Sequence, residues 1–206
     1  MRKAGLIMTT TSGNVPTVTP ANWVPGPKQG HWTYNHYAAL PDDGKRYEIV
    51  NGVLFITPSP SGAHQDAVGR FYHYLFLRIE NTNLGKVRIV PFDVQLTPAV
   101  VVQPDVMVIL KQNLEKVTSN RVLGAPDLVV EVASPGTATY DRHAKQIAYA
   151  QAGVPEYWIA DPTARTVEVF LLEGATYNSV GIFEGKATLP STIVPELTTQ
   201  IEQFFA

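Results

Sequence analysis

The sequence predicts one mixed α/β domain, a central mixed sheet flanked by helices. Short runs of β-branched and aliphatic residues, among them DLVVEV at 127–132 and EYWI at 156–159, are bounded by Pro, Gly and Asp. A longer stretch near 61–82 instead spaces its apolar residues with a helical period, and a second helix is expected near 138–152. A chain of 206 residues fills one core comfortably and two poorly.

Taken in order, residues 1–30 are rich in Thr, Pro and Gly and lack periodicity, which predicts a flexible arm ahead of a single domain over 31–206. TYNHYAAL, 33–40, reads as a short helix with Thr33 as N-cap. In YEIVNGVLFIT, Asn51-Gly52 separates two apolar runs. Both residues tolerate positive φ, so Tyr47–Val50 and Val53–Thr57 are expected to pair as a hairpin. The helix near 61–82 places Ala67, Val68, Phe71, Leu75 and Ile79 on one stripe. Strands follow at VRIVPFDVQL, PDVMVIL and DLVVEVAS. The helix near 138–152 ends at Gly153, a suitable residue just past a C-terminus. EYWIAD and TVEVFLLE are two further strands joined by a turn around Pro162, and the tail from about 175 is expected to add a pair.

Composition narrows the function classes. With no cysteine, disulfides and thiolate metal sites are excluded, and a reducing cytoplasm is the expected compartment. The apolar AGLIM after Arg2 and Lys3 gives way to TTTSGN, so no secretory leader is expected, and no apolar run is long enough for a membrane span. A net charge of −2 gives no general attraction to nucleic acid or anionic lipid. HExxH, Gly-rich phosphate-loop and GxSxG patterns are all missing.

The chemistry-bearing residues are acids in apolar strands. Alternation puts Val129, Glu131 and Ala133 on one face of their strand and Leu128, Val130 and Val132 on the other. An ionised Glu131 in that setting needs a positive partner. Asp105 opens the similarly apolar PDVMVIL directly after Pro104. Two such acids converging at one sheet edge suit Mg²⁺, which takes few carboxylates and keeps waters for a substrate phosphate. Asp141, Lys145 and Tyr149 follow at i, i+4 and i+8, close to one helix stripe. Lys145, among Ala144, Ile147 and Ala148, can run its stem along apolar surface and bring its ammonium to Glu131.

Pro104-Asp105 followed by Glu131-Val132-Ala133 resembles the PD-(D/E)XK nuclease signature, with one departure. The usual lysine would fall at Ala133, and Lys145 looks like its substitute on the adjacent helix. YEIVNG, SPSGAHQ, QPDVMV, APDLVVEVASP and DRHAKQIAYAQAGVPEYWIAD together resemble the Uma-type restriction endonuclease family over roughly residues 33–185. The resemblance implies a restriction-endonuclease-like fold and a phosphodiesterase site of Asp105, Glu131 and Lys145, with Mg²⁺ or Mn²⁺ as cofactor and DNA as substrate.

It also suggests Glu48 as a further metal-side acid, against a plain reading as a solvent-facing strand residue. His64 reads either as a phosphate or water contact or as a capping and packing residue. Gln103, beside the Pro-Asp pair, is the better polar support for Asp105, while Asp93 reads as satisfying a turn. Tyr149 reads either as a site hydrogen bond or as core. Near-neutral charge favours a homodimer presenting two sites to a duplex. The expectation from a different class is a catalytically silent binding or assembly module, with Glu131 and Lys145 as a structural pair.

Overall fold

The computed structural model describes residues 17–206 except residue 135, and the expectations for residues 1–16 lie outside it. Residues 17–30, expected within the arm, carry a two-residue strand, β1 (Thr19–Pro20), paired antiparallel with a later strand at Phe55 and Ile56. Ala21 is fully buried there, and its N–H donates to the Leu54 carbonyl. Helix α1 (Tyr34–Tyr37) starts at Thr33 with a capping box completed by His36.

The Asn-Gly hairpin is present: β2 (Arg46–Val50) and β3 (Val53–Thr57) pair antiparallel, and Asn51 and Gly52 have φ of 51° and 73°. Helix α2 (Gly62–Ile79) is capped by Ser61, whose Oγ accepts from the His64 N–H. Its buried residues are His64 and the whole expected stripe from Ala67 to Ile79.

VRIVPFDVQL is not one strand. It divides at Val90-Pro91 into β4 (Gly85–Ile89) and β5 (Asp93–Thr97), which enter different sheets. Two three-residue strands that the sequence reading missed, β6 (Val100–Val102) and β8 (Arg121–Leu123), flank β5. Between them in sequence runs β7 (Val106–Leu110). β9 (Leu128–Val132) is the fully buried strand that carries Glu131.

The second helical stretch is α3 (Ala138–Tyr140), a single π-helical turn (Asp141–Lys145) and α4 (Gln146–Ala152), closed by Gly153 at φ 84°. β10 (Glu156–Asp161), β11 (Thr166–Glu173) and β12 (Thr176–Glu184) complete the strands. After β12 the tail forms no second strand; a 3₁₀ turn (Ile201–Phe205) seats Ile201 and Phe204 in the core.

The single central sheet expected from sequence is instead two six-stranded mixed sheets, ordered β1-β3-β2-β6-β5-β8 and β12-β11-β10-β9-β7-β4. The α3–α4 segment links β9 to β10, the parallel pair of the second sheet. One face of that sheet, with Leu128, Val130 and Val132, packs on the α2 stripe and the C-terminal turn. Its other face, with Val129 and Ala133, packs on Val94, Val102 and Val122 of the first sheet and on Tyr149 of α4. The seam between the sheets is therefore where strand acids from both can meet.

Candidate active site

Three strands and two helices bring the expected residues to one narrow cleft, with Arg46, Glu48, His64, Asp105, Glu131, Tyr140 and Lys145 on its walls. Its free volume is about 30 Å³, roughly room for two waters. Glu48 comes from β2, Asp105 from the residue before β7, and Glu131 from the middle of β9. All three are buried, and so are His64 and Lys145.

Lys145 Nζ lies 2.6 Å from Glu131 Oε1 and 3.2 Å from Glu48 Oε1. The ammonium expected to serve Glu131 thus bridges an acid from each sheet. Its stem arrives through the π turn, a wide coil that recurs at functional sites. Tyr140, five residues earlier, lines the same cleft, with its ring 5.8 Å from Nζ. The Tyr149 hydroxyl donates to Glu131 Oε1 at 2.6 Å while its ring packs on Tyr157, so Tyr149 is both core and site residue. Burial, then the charges of Glu131 and Glu48, push its hydroxyl pKa well above the ordinary range. The side chain of Asp141 lies outside the described residues.

Asp105 sits a little apart from that bridge. Its Oδ2 accepts from the Val132 N–H at 2.9 Å and lies 3.1 Å from His64 Nε2, while Oδ1 is 4.0 Å from Arg46 Nη1. Burial works to raise its pKa, but the hydrogen bond and charge of His64, then Arg46 and Lys145, outweigh that and hold it below the ordinary carboxylate value. His64 therefore unites two readings, with its backbone in the helix cap and its ring on the acid.

Three readings are corrected. Glu48 is fully buried and not solvent-facing, because both faces of β2 are covered from Tyr47 to Val50. Gln103 does not support Asp105 through its side chain. Its Nε2 donates to Tyr37 Oη and Asp93 Oδ1, while its N–H donates to Glu48 Oε1 at 2.8 Å. Asp93 accordingly anchors Tyr37 and Gln103 and does more than satisfy a turn. Arg46 was missed. Its position two residues before Glu48 on one strand face was the signal that could have found it.

The cleft sets three buried carboxylates, Glu48, Asp105 and Glu131, against Arg46, Lys145 and the ring of His64. Glu48 Oε2 is buried without a hydrogen-bond partner, a cost that a cation or an ordered water relieves. Among the described residues no three His, Cys, Asp or Glu side chains group closely enough to hold an ion unaided. The donor set nonetheless fits Mg²⁺, which binds through one or two carboxylates and completes its shell with water and phosphate.

Residues 34–202 match the family described as "Uma2: Putative restriction endonuclease". The chain belongs to the Uma2 family. A crystal structure described as a putative nuclease belonging to DUF820, from Anabaena variabilis, superposes with a TM-score of 0.71 at 18% identity, covering 84% of this chain and 97% of that one. At that identity the likeness shows a shared fold. No curated protein matches the chain. The Uma2 match spans every wall residue of the cleft, from Arg46 to Lys145. Among the described residues no helix is long and apolar enough to cross a membrane.

Proposed function

We propose that the cleft is a Mg²⁺- or Mn²⁺-dependent site that hydrolyses DNA phosphodiester bonds on a restriction-endonuclease-like fold. The observation that carries this reading is the meeting of three buried strand acids, Glu48, Asp105 and Glu131, with one buried lysine in a single cleft. Asp105 and Glu131, joined by Glu48, are the residues that would hold the ion. When bound, the ion supplies Lewis acidity toward the phosphate and lowers the pKa of a bound water.

The protein's own groups do the rest. Lys145 brings positive charge to the place where phosphate charge develops. Glu48 and Glu131 hold that ammonium from two sides. Tyr149 fixes the rotamer of Glu131, and His64 with the Val132 N–H fixes Asp105. A net charge of −2 makes nonspecific capture weak, and a dimer that presents two sites to a duplex would offset this.

The test is cleavage of duplex DNA in Mg²⁺ or Mn²⁺ by wild type and by Asp105→Ala, Glu131→Ala and Lys145→Ala. Loss of about a hundredfold or more in each variant supports the assignment. Equal activity in all three would end it. A second reading, a silent nuclease-fold binding or assembly module, is favoured by the direct Glu131–Lys145 pair. Titration calorimetry separates the two, because the module takes up neither Mg²⁺ nor Mn²⁺.

A further inference from the structure

We infer that Arg46 is the residue that receives a phosphate of the substrate backbone, an inference that rests on the DNA reading above. The cations of the cleft are not equally committed. Lys145 is buried between two carboxylates, and His64 is turned onto Asp105. Arg46 alone among these three has a side chain that reaches solvent, 25% exposed against 3% for Lys145 and 6% for His64.

Its guanidinium is anchored without being used up. Nη2 donates to the Gln103 carbonyl at 3.0 Å, Nη1 stands at the outer limit of an ion pair with Asp105, and Nε is buried with no hydrogen-bond partner. A buried donor left in this state is costly, so the guanidinium keeps donor capacity to spare. The planar fork of Arg suits a phosphate better than an ammonium does. Strand geometry sets the position: Arg46 pairs with Thr57 at the end of the β2–β3 ladder, and both line the cleft. Arg46 lies two residues from Glu48, so both side chains leave the same face of β2. A phosphate on Arg46 would therefore stand beside the acids, within reach of the atoms that act on it.

The experiment measures binding apart from turnover. Anisotropy of a labelled DNA duplex is followed across a salt series in Ca²⁺, with the duplex checked for integrity, for wild type, Arg46→Gln and Arg46→Lys. Arg46→Gln removes the charge while keeping a polar side chain. It is expected to weaken binding about tenfold or more and to flatten the plot of log K against log salt by about one phosphate contact. Arg46→Lys should restore the slope and only part of the affinity, since it lacks the fork. Thermal melting confirms that each variant is folded.

Wild-type affinity and slope in Arg46→Gln would overturn the inference and leave the nuclease reading standing. Arg46-dependent binding with no cleavage in Mg²⁺ or Mn²⁺ would keep the inference and remove the catalytic reading. Failure of the wild type to bind the duplex would overturn both.

Discussion

Replacing Lys145 by methionine leaves Glu48 and Glu131, both buried, without the cation they share. Removing one partner of a buried pair typically costs about 3–5 kcal/mol, since the remaining charge stays uncompensated. Lys145→Met should fall in that range by urea denaturation, and adding Glu48→Gln should recover part of the loss. Full stability in the single variant would contradict the bridge. Asp105 yields a prediction in pH. Its folded pKa is depressed below an unfolded value near 3.8. The stability it contributes is complete above that value and is lost as pH falls through the lower folded one. Urea midpoints of wild type and Asp105→Asn should therefore draw together in strong acid, separate as pH rises toward about 4 and stay apart above it. Parallel curves across that window would refute the depressed pKa.

At the scale of elements, what the sequence disclosed followed from local rules. The buried stripe of α2, the Asn-Gly turn and the apolar setting of Glu131 depend only on period and turn chemistry, and each is found as expected. Gly52 adds a requirement that no local rule states. Besides its positive φ, a Cβ there would collide with the Gly30 carbonyl, whereas Gly153 has open space around its own. Gly153→Ala should cost only the backbone penalty, about 1 kcal/mol. Gly52→Ala should cost clearly more, and equal urea midpoints for the two variants would contradict the close approach. The split of VRIVPFDVQL between two sheets was not legible, because strand partners are chosen by distant residues and leave no local period. Strands β6 and β8 are too short for alternation to show.

For the whole molecule, the site is a property of the seam between the sheets. Glu48 belongs to one sheet, Asp105 and Glu131 to the other, and Lys145 crosses between them. The sequence could therefore name Asp105, Glu131 and Lys145 but not say which acid Lys145 would also meet. Nor could it show that Gln103 serves Glu48, since that contact depends on the pairing of β6 with β2, strands far apart in sequence. Arg46 was overlooked because an arginine opening a strand reads as solvated until the opposite wall is in place. Because the acids are brought together only by folding, an ion that binds them binds the native state and raises the melting temperature with concentration. Mn²⁺ should do so for wild type and not for Asp105→Ala.

The most direct measurement is the anomalous diffraction of crystals soaked in Mn²⁺. The account predicts a peak coordinated by carboxylate oxygens of Asp105 and Glu131, with Lys145 shifted from its 2.6 Å contact on Glu131. At saturating Mn²⁺, a cleft with no such peak and Lys145 still seated on Glu131 would contradict it.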